Sequence, residues 1–195
     1  MNLVFSPSKY VLKRKGLSIG GKYQLLDEQK NPLLFIEEKI KLIPPSRTVF
    51  AYADEKKTQL VLKIDLSESA NGVAYDVIDS ANGAKLGSLV YAVESLSDLV
   101  KDKWIIMDVD GQVIARMFEK RAGRAILREL TDHNIPQKLE IAVGETTVAE
   151  LRQKATMLGY EATLDFSMDT GNLLDRRLGV AAAVMAALHQ GSEEI

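Results

Sequence analysis

The chain has 195 residues, of which 46% are hydrophobic and 27% are charged, and its formal net charge is -2. This length and composition predict one globular domain, residues 1–195, with enough chain for a substantial core. A net charge near zero gives no strong field toward nucleic acid, so we expect no nucleic-acid partner. The sequence contains no cysteine, which excludes disulfides, thiolate catalysis, Cys-based zinc sites and palmitoylation.

The first residues, from Met1 to Ser8, lack a basic segment followed by an apolar run. This pattern is not that of a secretory signal peptide. We therefore expect a cytoplasmic location, with membranes reached only as a peripheral protein.

A repeated pattern dominates the first part of the chain. An aromatic residue, three mostly apolar residues and an aspartate recur, each time followed by a polar turn and a second apolar run. The copies are residues 23–27, 50–54, 75–79 and 104–108. An aspartate side chain bonds turn amides and so starts a chain reversal, and the turns Asn82-Gly83 and Asp110-Gly111 are strong hairpin signals. The sequence predicts β-hairpins in series, as in a meander or barrel.

Further strands flank these hairpins, and one segment has a helical pattern. A first strand is predicted at residues 10–13, and residues 40–43 continue or bend the outgoing strand of the first hairpin. Three more strands are predicted after the last hairpin, at 125–130, 138–143 and 160–168. The total is about twelve strands. Between them, Thr147 to Glu150 matches a capping box, and Val148, Leu151, Ala155 and Leu158 share one helical face. We expect an amphipathic helix over 147–158 that covers one open end of a barrel.

The C-terminal segment is the most apolar part of the chain. Residues 178–188 contain no polar side chain and are rich in alanine, the best helix former. We expect Asn172 or Thr170 to cap the helix, Asp175 to interact favourably with the helix dipole, and Gly191 to end the helix.

A helix that is apolar on all sides is either buried or inserted in a membrane. The uncharged run spans roughly 16 Å at 1.5 Å per residue, about half of a hydrocarbon core of roughly 30 Å. We therefore predict a central helix enclosed by strands, with Gly179, Ala182, Ala183 and Ala186 at points of close strand approach. The alternatives are a buried half-helix or a monotopic membrane anchor.

Metal, cofactor and catalytic motifs are weak. The segment from Asp108 to Glu119 is similar to a calcium loop, but Gln112 and Val113 occupy the positions that need a better oxygen ligand and a glycine. A hairpin turn explains this segment better. The two histidines, His133 and His189, form no predicted pair, and His189 would offset the dipole at the end of the C-terminal helix. No nucleotide-binding glycine motif is present, so we predict no cofactor, no metal and no catalytic residue.

Basic residues cluster near the N-terminus, before the first carboxylate at Asp27. A solvated surface is the simplest interpretation of this cluster, and of a second one at Lys120, Arg121, Arg124 and Arg128. The alternative is that Lys13, Arg14 and Lys15, beside the Gly16 loop, bind an anionic lipid headgroup or a phosphate ligand. Strand alternation would place Lys9, Val11 and Lys13 on one face.

The tandem hairpins and the apolar C-terminal helix together resemble the tubby C-terminal-like superfamily, most closely its LURP-one-related and phospholipid scramblase members. The most specific segments are residues 75–87 and 103–116, and the similarity extends over most of the chain from about Tyr10. The resemblance implies a twelve-stranded antiparallel β-barrel, a mainly β fold, wrapped around a buried C-terminal helix. The scramblases' Pro-rich N-terminal region and Cys-rich segment are absent here.

The resemblance also implies a class of function. Tubby proteins bind phosphoinositides, scramblases are credited with calcium-dependent lipid movement, and many LURP-one-related proteins have no known activity. We therefore expect a non-enzymatic binding or scaffold protein whose ligand is an anionic lipid, a metabolite phosphate or another protein. The alternative is an enzyme with an unidentified carboxylate site at a barrel mouth, which two convergent carboxylates or a carboxylate–histidine pair in a cleft would favour.

Overall fold

Twelve antiparallel strands close into a barrel around the C-terminal helix. The computed structural model describes residues 3–16, 21–42, 45–69, 72–91, 100–120, 137–154 and 159–193. Each strand pairs with the next one in sequence, and the last pairs with the first. The strands are β1 (Lys9–Arg14), β2 (Lys22–Leu26), β3 (Pro32–Leu42), β4 (Pro45–Tyr52), β5 (Leu60–Ser69), β6 (Gly72–Asp79), β7 (Lys85–Tyr91), β8 (Val100–Met107), β9 (Val113–Lys120), β10 (Lys138–Val143), β11 (Thr146–Gln153) and β12 (Glu161–Asp165).

A short 3-10 helix (Leu3–Phe5) precedes β1, and the α-helix α1 (Arg176–Glu193) follows β12. This architecture confirms the predicted fold class, a mainly β barrel with a buried C-terminal helix. Among the described residues, no helix combines the length and the apolar character needed to cross a membrane.

The apolar part of α1 forms the centre of the core. Every side chain from Leu178 to Leu188 is at most 4% exposed, as predicted. Inward-facing residues of the strands pack in the same core, among them Tyr10, Leu12, Tyr23, Leu25, Leu34, Ile36, Val49, Ile64, Val77, Leu89, Ile106, Met117, Ile141 and Leu164. The barrel lumen is therefore filled by the chain's own helix.

Glycines allow the helix and its surroundings to approach closely. A Cβ atom on Gly179 would lie 2.6 Å from Cζ of Phe166, the residue that follows β12. A Cβ atom on Gly21, which precedes β2, would lie 2.1 Å from Cδ2 of Leu188. Gly179 is thus a point of close approach, made by the residue after β12 and not by a strand residue, and close strand approach at Ala182, Ala183 and Ala186 stays a prediction.

The ends of α1 differ from the prediction. Asp175 is the N-cap, because its Oδ1 atom accepts a 2.9 Å hydrogen bond from the backbone N–H of Arg177. Asn172 instead has a left-handed backbone, with φ of 50°, in the preceding loop. The helix also continues through Gly191 to Glu193, so the predicted caps at Asn172 or Thr170 and the end at Gly191 are wrong. Glycine costs only about 1 kcal/mol relative to alanine inside a helix, which does not force an end there.

The aspartates of the repeated pattern start the hairpin turns as predicted. In each hairpin the carboxylate Oδ1 atom accepts a hydrogen bond from a backbone N–H of the turn. The pairs are Asp27 with Asn31 (2.8 Å), Asp54 with Thr58 (3.2 Å), Asp79 with Ala81 (2.9 Å) and Asp108 with Gln112 (2.8 Å). The repeat therefore has a common physical cause in turn formation.

One aromatic residue of the repeat is not equivalent to the other three. Tyr23, Tyr75 and Trp104 are buried, whereas Phe50 faces outward, where its ring stacks on Tyr52 with a 6.0 Å centroid distance. In this hairpin the pairing before the turn ends at Ala53 rather than at the aspartate. Because strand side chains alternate, this one-residue difference puts Phe50 on the opposite face.

The segment predicted as an amphipathic helix at 147–158 is strand β11 in its first part. It pairs with β10 on one side and β12 on the other. The signal for a hairpin is the two-residue turn Gly144-Glu145, in which Gly144 has a φ of 57°. The residues from Val148 to Leu151 are all buried, and such a continuous buried run cannot be told from a helix by periodicity.

The barrel has twelve strands, which agrees with the predicted number of about twelve, but the two sets of strands are not the same. β11 replaces the predicted helix, and the predicted strand at 125–130 lies outside the described residues.

The two ends of the barrel are different. The turns that follow β2, β4, β6, β8 and β10 lie at one end, called the turn end here, because consecutive strands are antiparallel. α1 begins at this end, where Arg177 contacts Asp79 at the end of β6. Its last turns lie at the opposite end, where His189 stacks on Tyr91 of β7 with a 4.2 Å centroid distance.

Replacement of Gly179 by alanine tests the close packing of the helix. At an exposed helical site this change stabilises a protein by up to about 1 kcal/mol. Here the new methyl group would meet the buried ring of Phe166, and we expect a net loss on the order of 1–2 kcal/mol. The free energy of unfolding in urea measures it. A variant more stable than the wild type would contradict the enclosed-helix packing.

Candidate functional site

A cavity of ≈ 570 Å³ opens at the turn end of the barrel, beside the start of α1. Its size is within the range of small-molecule sites, roughly 300–1,000 Å³. Four separate parts of the chain form it: the 3-10 helix, the start of β5, the β6–β7 turn and the segment that enters α1. The lining residues are Phe5, Gln59, Leu60, Val61, Asp79, Ala81, Asn172, Leu174, Asp175, Arg176 and Arg177.

The charged wall of this cavity, which we call the turn-end triad, consists of Asp79, Arg177 and Asp175. The Arg177 guanidinium donates from Nη1 to Oδ2 of Asp79 at 2.6 Å and from Nε to Oδ1 of Asp175 at 3.0 Å. The three side chains are 20%, 30% and 35% exposed, respectively. Two carboxylates thus share one guanidinium, which gives the triad a formal charge of -1.

Asp175 and Arg177 are held in their ionised forms. Burial alone would raise the pKa of Asp175, but hydrogen bonds from the side chain and backbone of Arg177 outweigh it and lower this pKa below its ordinary value. The hydrogen bond to Asp175 raises the pKa of Arg177, against the effect of burial. The ion pair therefore persists at neutral pH.

Each aspartate of the triad also shapes the backbone at the pocket. Asp79 bonds the β6–β7 turn through Ala81, and Asp175 caps α1. These backbone hydrogen bonds restrict both carboxylates in addition to their contacts with the Arg177 guanidinium.

The loop that leads into α1 is fixed by a buried aspartate. Asp169 is 4% exposed, and its carboxylate accepts hydrogen bonds from the backbone N–H groups of Leu173 at 2.8 Å and Leu174 at 3.3 Å. This arrangement places the side chain of Leu174 at the pocket, where it is 2% exposed. Phe5, Leu60, Val61 and Leu174 form the apolar part of the lining, and the triad forms the charged part.

Arg176 lines the pocket, but its charge is turned elsewhere. Its guanidinium lies 5.3 Å from the centroid of the Phe166 ring and donates to the carbonyl oxygen of Pro7. Neither Phe166 nor Pro7 lines the pocket. Arg176 is nevertheless a lining residue, so the four charged side chains that line the cavity, Asp79, Asp175, Arg176 and Arg177, sum to a formal charge of zero.

The predicted anion-binding residues Lys13, Arg14 and Lys15 lie at the end of β1 and just after it, away from this pocket. Nζ of Lys13 is 4.0 Å from Oε2 of Glu161, and Lys15 pairs with Glu55. Arg14 forms no ion pair with a carboxylate of the described residues. Carboxylates from distant parts of the sequence thus lie close to two of these three basic residues, although the sequence near them contains no acidic residue.

The rest of the basic cluster behaves in the same way. Lys9 lies 3.5 Å from Asp165, and Lys22 lies 4.0 Å from Glu37. The predicted alternation of β1 is correct, because Tyr10 and Leu12 face the core while the side chains between them face outward. Anion binding at Lys13, Arg14 and Lys15 stays a prediction, and the side chains of the second basic cluster lie outside the described residues.

The other sequence motifs have structural explanations where they are described. Asp108 bonds turn amides, as a hairpin residue does. Within the described part of the chain, no group of three or more histidine, aspartate or glutamate side chains is arranged to hold a metal ion. His189 lies among aromatic rings at the far end of α1, and His133 is outside the described residues.

Sequence reasoning did not find the pocket. Its residues are far apart in the chain, and Asp79 and Arg177 are 98 positions apart. The available signal was the charged run Asp175-Arg176-Arg177 directly before an uncharged helix, since such a run must lie where the helix emerges from the core. Asp79 was recognised only as a turn residue.

Comparison with protein family models, with curated proteins and with solved structures finds no match to this chain. The resemblance to the tubby-like superfamily therefore stays a prediction, and the function has to be argued from the geometry.

The basic segment can be tested with liposomes. At about 1 kcal/mol per basic residue near an anionic surface, the segment would give only weak, salt-sensitive binding. We expect a Lys13/Arg14/Lys15→Ala variant to cosediment less than the wild type with anionic liposomes at low salt. A Lys41/Lys56/Lys85→Ala variant, which makes the same change in charge at exposed positions outside the N-terminal basic cluster, is the control. Equal recovery of wild type and Lys13/Arg14/Lys15→Ala in the pellet would remove this segment from consideration.

The lowered pKa of Asp175 predicts how the stability of the triad depends on pH. A carboxyl group whose pKa is lower in the folded state stabilises the protein above its unfolded value, 3.8, and loses this effect as the pH falls through the folded value. Asp175→Asn keeps the helix cap but loses the charge. We expect this variant to be less stable than the wild type by a constant amount above about pH 5.

Below pH 3.8 the difference in the free energy of unfolding between the two proteins should shrink, since the wild-type carboxylate then becomes protonated. Urea unfolding at a series of pH values measures this difference. A difference that stays constant down to about pH 2 would show that the carboxylate is not stabilised by Arg177.

Proposed function

We propose that this protein is a non-enzymatic binding protein that holds a small organic ligand in the turn-end pocket. One observation carries the proposal: a cavity of ≈ 570 Å³ is lined by apolar side chains and by the hydrogen-bonded charged triad. Small-molecule sites have this composition, with mostly apolar surface and a few fixed polar groups that orient the ligand.

The architecture restricts where a ligand can bind. α1 and the inward-facing strand residues fill the lumen, so a small molecule cannot occupy the barrel interior as it does in barrels with an empty centre. The two mouths remain, and the turn-end mouth has a cavity lined by polar groups.

An enzyme with a carboxylate site at a barrel mouth is less well supported. Two carboxylates do converge in the pocket, but they converge on Arg177, which holds Asp175 ionised. Acid–base catalysis between carboxyl groups needs environments that keep one of them protonated. The paired triad favours a role in ligand recognition.

A pocket-filling substitution tests this proposal. Ala81 lines the pocket on the exposed β6–β7 turn, and Ala84 is an exposed residue of the same turn that does not line the pocket. Ala81→Trp should fill the cavity with little effect on folding, and Ala84→Trp is the matched control. The probes are three dansyl amides with the same alkyl tail, which ends in an ammonium, an acetamide or a carboxylate group.

We expect at least one of these probes to show saturable fluorescence enhancement with the wild type and with Ala84→Trp, and to lose it with Ala81→Trp. Circular dichroism confirms that both variants fold. If none of the three probes binds saturably, or if Ala81→Trp binds them as well as the wild type does, the pocket is not a ligand site.

A further inference from the structure

We infer that the ligand of the turn-end pocket is an uncharged molecule in which a group that both donates and accepts hydrogen bonds, such as a carboxamide, is joined to an apolar body. This inference rests on the proposed binding function and adds the chemical class of the ligand. It differs from the expectation raised by the sequence, which was an anionic ligand at Lys13, Arg14 and Lys15.

The first argument is the charge balance of the lining. Among the described residues that line the cavity, four side chains are charged, and their formal charges sum to zero: Asp79, Asp175, Arg176 and Arg177. Arg177 is paired with both carboxylates, and Arg176 donates to the carbonyl oxygen of Pro7. A charged ligand would lose water without gaining an unpaired opposite charge, or it would have to displace a partner from the triad. An uncharged ligand avoids both penalties.

The second argument concerns the hydrogen-bonding groups that the protein itself does not use. Gln59 and Asn172 line the cavity, and their side-chain amides form no hydrogen bond within the described part of the chain. Each amide offers two N–H donors and a carbonyl acceptor. A ligand carboxamide can therefore pair with such a side chain through two hydrogen bonds, whereas an ammonium group only donates and a carboxylate only accepts.

The backbone at both amides is held in place without a ligand. The carbonyl oxygen of Gln59 accepts a 2.9 Å hydrogen bond from the N–H of Ala53, which closes the β4–β5 hairpin. The N–H of Asn172 donates to the carbonyl oxygen of Asp169 at 3.4 Å, and the carboxylate of Asp169 fixes the next turn of this loop. Two distant parts of the chain thus bring one amide each to the same cavity.

The third argument is the apolar part of the lining, which consists of Phe5, Leu60, Val61 and Leu174. A small ligand that only bonds the amides would leave this surface in contact with water. A ligand with an apolar body would contact both parts of the pocket and remove apolar area from water.

Binding of the three dansyl probes distinguishes the ligand classes. We expect the wild type to bind the acetamide probe about tenfold more tightly than either the ammonium or the carboxylate probe. Added salt should leave the affinity for the acetamide probe nearly unchanged, because no net charge attracts this probe to the pocket.

The contribution of one amide can be tested with a matched pair of variants. Gln59→Met removes the donor and the acceptor with little change in side-chain size. Gln112→Met makes the same change at an exposed position outside the cavity lining, where the backbone carbonyl also closes a hairpin. The affinity for the acetamide probe should fall about fivefold with Gln59→Met and stay at the wild-type value with Gln112→Met.

A change in the charge of the lining tests the first argument. Asn172→Asp adds one negative charge at a position with a φ of 50°, a left-handed backbone that aspartate also tolerates. The preference for the acetamide probe over the ammonium probe should then fall, because the lining is no longer balanced.

Three outcomes would overturn the inference and leave the proposed function intact, with binding still lost in Ala81→Trp. The first is equal affinity of the wild type for all three probes, or tightest binding of a charged probe. The second is equal affinity of Gln59→Met and Gln112→Met for the acetamide probe, and the third is an unchanged preference in Asn172→Asp. The comparison of probes on the wild type decides the question even if a variant does not fold.

Discussion

A helix that is apolar on all sides must be surrounded by other apolar groups, and this requirement determines the architecture. Residues 178–188 expose almost no side-chain surface, so their shell must be closed on all sides. A β-barrel provides such a shell, and its closure also pairs every strand edge that an open sheet would leave free. Alanine and glycine along α1 keep the central rod thin, which lets Phe166 lie directly against Gly179.

A filled barrel places any binding site where the helix leaves the core. At the turn end, Arg176 and Arg177 occupy the first helical positions, where the helix dipole disfavours positive charge. Asp175 and Asp79 offset this charge, and Arg176 is accommodated against the ring of Phe166. The groups that make the start of α1 electrostatically acceptable are therefore also the groups that line the pocket, so the fold and the candidate site depend on the same contacts.

Much of this fold could be predicted from sequence because its signals are local. The aspartates mark the turns through bonds to amides a few residues away, and the run after Arg177 marks the central helix by its lack of polar groups. The failures have equally definite causes. β11 was predicted as a helix because Val148 and Leu151 satisfy a helical spacing while strands on both sides bury the whole segment. The repeat suggests equivalent aromatic positions, but Phe50 faces outward because the pairing that ends at Ala53 reverses which side of the strand faces the core.

The site could not be predicted in the same way, because charges compensate each other in space and not along the chain. Lys9, Lys13 and Lys15 precede every carboxylate in the sequence, yet each lies near one in the fold. Asp175 is a sequence neighbour of Arg177, but Asp79 is far from it along the chain. In the fold both carboxylates contact the same guanidinium. The sequence thus suggests an anion site where the fold has nearly balanced charge, and it gives no sign of the pocket at the start of α1. The pocket forms where the end of β6 meets the start of α1, two segments that are far apart in the sequence.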